Sequence, residues 1–235
     1  MAKRRLLVGR RGDPVGIDVE AAESFLQDQI PIQQQLLLPS VFRTAYAAVA
    51  DLVAATPFLK VPSATFNQGR LRTWAADFGL ENLITSGQWN VEYRWQKFGS
   101  PKPTGRYLEI LLPQSRLTVS QTEDAVRQPR NVRFRENARL FNPPVLPMPE
   151  LQREREIKGR PSFLLIHGHQ DLAFLHVAMP HSEHRRGYMA KSRNLLDLPY
   201  ELAPAGPPAE DTTFNESVLG LKEQLKKWIR DNHDH

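Results

Sequence analysis

Hydrophobic positions along this chain keep one period in its first third and another after it. Val19, Ala22, Phe25, Leu26 and Ile30 recur at helical spacing, and Pro31 ends the run. Gln33, Gln34 and Gln35 read as a short connector. Ser40 is placed to cap a second helix carrying Val41, Ala45, Ala48, Leu52 and Val53, which ends before Pro57. Ser63 or Thr65 caps a third, with Leu71, Trp74, Ala75 and Phe78 on one face and Gly79 as its C-terminal stop.

The period then becomes two. Trp89, Val91, Tyr93 and Trp95 alternate with Asn90, Glu92, Arg94 and Gln96, which predicts a strand with one dry and one wet face. The turn-rich stretch Gly99 to Gly105 leads to a second strand, Arg106 to Leu112, and Pro113-Gln114 to a third, Arg116 to Ser120. Asn131 to Glu136 reads as a fourth. Phe163 to His167 and Leu172 to Met179 read as another hairpin, turning at Gly168 to Asp171. In the C-terminal stretch, Thr213 and Glu216 form a capping box. Phe214, Val218, Leu221, Leu225 and Trp228 follow as an apolar stripe, whose ordinary role is to pack on its own chain and whose other role is docking or dimerisation.

Elements segregated in this way predict an α+β fold: N-terminal helices, an antiparallel strand-rich core built from hairpins, and a C-terminal amphipathic helix. The expected divisions are a basic arm over residues 1–14, a helical region over 15–86, and an antiparallel β-rich region over 87–200. A Pro-rich linker over 201–212 and the helix of 213–235 complete the chain, with 213–230 as the surface for an oligomer or complex.

The chain has 235 residues, 40% hydrophobic and 24% charged, ordinary for a folded protein. Cysteine is absent, which removes disulfides, thiolate metal sites and cysteine nucleophiles and fits the reducing cytoplasm. No membrane span is expected, because no apolar run approaches ~20 residues. The basic start, Met1 to Gly12, lacks the apolar stretch of a secretory signal.

Catalytic signatures are missing. Neither a Gly-x-Ser-x-Gly elbow nor a phosphate-binding glycine loop occurs. Glu156-Ile157-Lys158 has the acid-x-Lys spacing of some nucleases, but in a charged connector. Asp77, Glu92 and Glu109 would have to be gathered by the fold. Five of the seven histidines lie between His167 and His184. If the hairpin turns at Gly168 to Asp171, His167 pairs with Leu172 and His176 faces Phe163, about 13 Å away at ~3.3 Å per residue. The alternative is a divalent metal held by His167, His169 and nearby acids, in a metal-dependent hydrolase or nuclease; otherwise no cofactor is expected.

The net charge of +5 points towards an acidic partner. Arg127, Arg130, Arg133, Arg135 and Arg139 crowd one stretch, and on a strand Arg133 and Arg135 share a face. Arginine suits two-pronged contacts to phosphate or carboxylate. Arg130, Arg133, Arg135 and Arg139 therefore form the expected contact surface, for nucleic acid or an acidic protein. Arg185, Arg186 and the N-terminal arm extend it. Lys102 would join from the tip of the first hairpin. Helices followed by such a hairpin resemble the order of winged-helix DNA-binding modules, although the later strands depart from it. The function expected is that of a non-enzymatic regulatory or interaction protein.

Overall fold

In a computed structural model, the described residues are 19–98, 105–140, 142 and 160–198, with Gly220, Glu223 and Lys227 beyond them. The N-terminal arm, the Lys102 tip, most of the connector 141–161, the Pro-rich linker and the C-terminal stripe lie outside them.

Helices come first: α1 (Val19–Gln29), α2 (Ile32–Gln35), α3 (Leu38–Ala55), α4 (Pro62–Thr65) and α5 (Gln68–Thr85). Six strands follow among the described residues: β1 (Glu92–Lys97), β2 (Arg106–Leu111), β3 (Arg116–Thr122), β4 (Ser162–Gly168), β5 (Leu175–Pro180) and β6 (Tyr188–Lys191). They form one sheet in chain order, and α6 (Arg133–Arg139) lies in the crossing between β3 and β4.

The sheet is mixed rather than antiparallel. β3 and β4 run parallel, Leu117 beside Phe163 and Val119 beside Leu165, while the other four pairings are antiparallel. A parallel neighbour needs a long crossover, which residues 123–161 supply. β4 is buried at all seven positions. Burial on both faces follows from its place inside the sheet.

Alternation along the strands gives the sheet two different faces. Leu108, Ile110, Leu117, Phe163, Leu165, Leu175, Val177 and Met179 join one cluster with Leu26 of α1, Ile30 just after it, Phe42, Ala45, Ala48 and Val49 of α3, and Ala75, Ala76 and Leu80 of α5. Polar pins set the helices on this face. Gln29 Oε1 accepts from the Gln114 amide and the Ser115 hydroxyl, both at 2.8 Å. The opposite face is more polar yet largely covered: Glu109, Thr118, Ser120 and Ser162 are each at most 4% exposed, beside a small apolar cluster of Leu164, Ile166 and Ala178.

Several local expectations change. Gln33 to Gln35 are helical, not a connector; Gln34 accepts from the Trp89 indole at 3.1 Å, and Gln35 donates to the Ile30 carbonyl at 2.7 Å. Ser40 lies inside α3 rather than at its cap and donates to the Leu37 carbonyl. Ser63 and Thr65 belong to the separate turn α4, and α5 starts at Gln68. Gly79 does not stop α5. A Cβ there would come within 2.8 Å of Val41 Cγ1, so the glycine lets α5 approach α3 closely.

Residues Ile32–Ala55 are long and apolar enough to cross a membrane by length and composition, contrary to the expectation that no apolar run approaches that length. Phe42, Ala45, Ala48, Val49 and Leu52 are buried within the fold, the ordinary role of a core helix.

The predicted strand over 131–136 is not a strand, and from Arg133 onward it is the helix α6. Two alternations are too few to separate the periods. At 100° per residue, Arg135 and Arg139 fall on one face of α6 and Arg133 on another. The β4–β5 register is also corrected: His167 pairs with Leu175 and His176 with Ile166, so the loop is 169–174. Its tightness depends on Gly168, where a Cβ would lie 2.0 Å from the Asp171 carbonyl oxygen.

Candidate nucleic-acid interface

Residues 124–140 and Asn142 strap the polar face of the sheet, and side chains hold the strap down. Lys191 Nζ donates to the Ala125 carbonyl at 3.0 Å, and the Tyr188 hydroxyl to the Arg127 carbonyl at 2.8 Å. The Gln128 amide donates to the carbonyls of His181 and Gly187. Asn142 donates to the Ser162 and Pro180 carbonyls and accepts from the Ser162 amide, joining β4 to β5. Phe134 stacks on Tyr107 with centroids 4.6 Å apart and meets Phe98 at 5.2 Å, which ties α6 to β2 and to the residue just after β1.

This strap divides the predicted arginines. Arg139 is 7% exposed. Its guanidinium donates to the Ser182 carbonyl at 2.9 Å and Asn131 Oδ1 at 2.5 Å, with Glu136 at 3.7 Å. Arg135 donates to the Ser120 hydroxyl at 3.1 Å and the Arg130 carbonyl at 3.2 Å, and lies 5.0 Å over the Phe134 ring. Burial pushes its pKa down to about 10, so it stays charged at neutral pH. Both arginines serve the interior of the strap. Arg133 and Arg135 therefore do not share a surface.

Arg130 and Arg133 are exposed, and neither has an ion-pair partner among the described residues. The turn His184–Arg186 is brought against the same strap, because His184 Nε2 donates to the Pro129 carbonyl at 2.9 Å. Arg185 is exposed there and has no ion-pair partner among the described residues. Arg186 meets Glu183 at 3.0 Å and Arg127 meets Asp124 at 3.5 Å, both at the surface. Such pairs are weak and open readily for a stronger anion. Between strap and β6 runs a groove of about 650 Å³ whose lining includes Arg127, His184, Arg185, Arg186 and Lys191, with Glu23 of α1 as an acidic residue in its wall.

Arg127 and Lys191 enter this site from the structure. Arg127 carried the composition signal, but the expected surface was built on its neighbours. Lys191 stands on β6, a four-residue strand too short to read from alternation.

The other half of the polar face is neutralised internally. Glu109, 2% exposed, receives Arg94 Nε at 2.6 Å and Arg116 Nη1 at 3.4 Å. Arg94 sits opposite Glu109 in the β1–β2 register, so the pairing follows from strand geometry.

The histidines take separate structural posts. The Tyr46 hydroxyl donates its single proton to the Gly168 carbonyl. The 2.7 Å contact between Tyr46 Oη and His167 Nδ1 is therefore donated by His167, which fixes the Nδ1–H tautomer. His167 Nε2 is buried without a hydrogen-bond partner among the described residues, and the ring packs 5.0 Å from Phe42. Burial pushes its pKa down to about 3. His169 packs beside Gly69, where a Cβ would lie 3.1 Å from its Cε1. His176 Nδ1 donates to the Ser192 carbonyl at 2.9 Å, and His181 Nδ1 accepts from the Glu183 amide at 2.9 Å. Burial lowers the pKa of both. Among the described residues no three His, Asp or Glu side chains gather as a metal-holding group.

Comparison with known protein families, with curated proteins and with solved structures finds no match for this chain, so the functional reading rests on the site itself.

Proposed function

We propose that this protein is a non-enzymatic, cytoplasmic nucleic-acid-binding protein. It contacts the phosphate backbone through the exposed arginines of the strap and the His184–Arg186 turn. The observation that supports the reading is the groove beside β6, which gathers Arg127, Arg185, Arg186 and Lys191 from separated parts of the chain. Arg130 lies on the same strap, one residue from the Pro129 carbonyl that holds His184. Unpaired arginines at a surface cost little to maintain and present two-pronged donors to phosphate oxygens. Such contacts position a protein on nucleic acid without reading sequence.

The test is a salt titration of binding to duplex DNA and to RNA. A footprint of four to five phosphates gives a slope of log affinity against log salt near −4, at ~−0.9 per phosphate on duplex. The variant Arg130→Glu/Arg133→Glu/Arg185→Glu/Arg186→Glu should lose binding at low salt and keep its melting temperature. Absence of binding by the unaltered chain at low salt removes nucleic acid as the partner. Binding of an acidic protein by the same residues would then mark the other expected partner class.

A further inference from the structure

The groove between the strap and β6 is narrow, and its wall carries one acid among the cations. Resting on the nucleic-acid reading above, we infer that this groove takes a single strand rather than a duplex, with a guanine edge turned to Glu23.

Width excludes the duplex. All four residues of β6 line the groove, so it runs for at least ~13 Å at ~3.3 Å per residue. Spread along that length, a volume of about 650 Å³ leaves a cross-section of at most about 50 Å², or ~7 Å a side. The major groove of a duplex is by itself ~12 Å wide, so the duplex is too broad to enter. It could lay only a backbone ridge there, which would set phosphates against Glu23 and turn the bases away. A single strand carries one phosphate every ~3.4 Å when stacked, so about two to four nucleotides match the length.

The lining suits a whole nucleotide. The cations already named serve phosphate. Val126, 70% exposed, and the half-buried Tyr188 add apolar surface for sugar and base. Stacking on such surface tolerates any base and gives no preference by itself.

Glu23 supplies the preference. It is exposed on α1, which packs against β6, and it has no ion-pair partner among the described residues. An ionised carboxylate only accepts hydrogen bonds and repels phosphate, so it belongs against a base that offers donors. The Watson–Crick edge of an unpaired base is open to such contacts. Guanine presents two adjacent donors there, N1–H and the N2 amino group, which match the two carboxylate oxygens. Adenine and cytosine present one donor beside a ring-nitrogen acceptor. Thymine and uracil present one donor between two carbonyls. Each of these sets a lone pair against the carboxylate.

The probes are labelled oligonucleotides of about ten residues, thymidine in DNA and uridine in RNA, with guanine, inosine, adenine or cytosine at one central position. Fluorescence anisotropy with the full chain should show the guanine strand bound about tenfold tighter than the adenine or cytosine strand. Inosine, which lacks the N2 amino group, should fall between. The guanine strand annealed to its complement should bind several-fold more weakly at the same salt. Glu23→Ala, at an exposed helical position, should abolish the guanine preference. It should also tighten binding of the plain thymidine or uridine strand, because a negative charge leaves the groove. The tighter of the DNA and RNA arms identifies the strand. Equal affinity for all central bases, a guanine preference that survives Glu23→Ala, or a duplex bound as tightly as its strand would overturn the inference and leave the phosphate-contact reading standing. Absence of binding to every probe at low salt would overturn both.

Discussion

Replacing Arg139 by alanine separates a cation that holds the fold from one that serves the surface. Arg139 is 7% exposed and donates to the Ser182 carbonyl and Asn131 Oδ1. Hydrogen bonds from a charged donor contribute ~1.5–3 kcal/mol each, and their loss strands the acceptors. The pairing with Glu136 adds little, since Glu136 is 48% exposed and 3.7 Å away. Relief of the guanidinium's own desolvation offsets part of the loss. The expected net cost is about 3 kcal/mol. For a chain of this length it lowers the melting temperature by ~6–12 °C, at ~2–4 °C per kcal/mol. Arg133→Ala, on the exposed side of the same helix, should change stability by less than ~0.5 kcal/mol. The assay is urea unfolding followed by tryptophan fluorescence, with nucleic-acid affinity measured where both variants are fully folded. Arg133→Ala should weaken binding and Arg139→Ala should not. If Arg139→Ala costs under ~1 kcal/mol, or if both variants lose stability equally, the division of the arginines is wrong.

Three further outcomes follow from the interior. His167 is held neutral, with its folded pKa below the unfolded value, so its contribution is full above about pH 6.5 and is lost as pH falls towards about 3. His167→Gln should flatten the acid limb of a stability–pH curve, and an unchanged limb would count against the buried Tyr46–His167 pair. Asp77 behaves oppositely: burial, with Glu81 adding to it, raises its pKa to about 8, so its contribution is present below about pH 4 and is lost as pH rises towards 8. Asp77→Asn should therefore gain stability over the unaltered chain as pH is raised, by several kcal/mol at pH 9, and equal urea midpoints at pH 9 would refute it. Gly79→Ala should destabilise by ~1–2 kcal/mol through its clash with Val41, despite alanine's better helix propensity, and Val41→Ala should recover much of the loss in a double-mutant cycle.

The sequence by itself determined what local chemistry controls. Apolar spacing marked the helices at 19–29 and 38–55, and alternation marked the strands from Glu92 to Thr122. The crowding of arginine between Arg127 and Arg139 was visible as composition. Tertiary structure decided what depends on neighbours distant in the chain. Whether β4 lies parallel or antiparallel to β3 depends on the path of residues 123–161, and no local pattern encodes that path. Residues 131–136 alternate briefly like a strand, but the helix α6 is set by the fit of Phe134 onto Tyr107, of Arg135 onto Ser120 of β3 and of Arg139 onto the loop after β5. That docking also decides which arginines face water. Charge is a property of the residue, but availability is a property of its surroundings, so only the folded chain separates Arg130, Arg133 and Arg185 from Arg135 and Arg139.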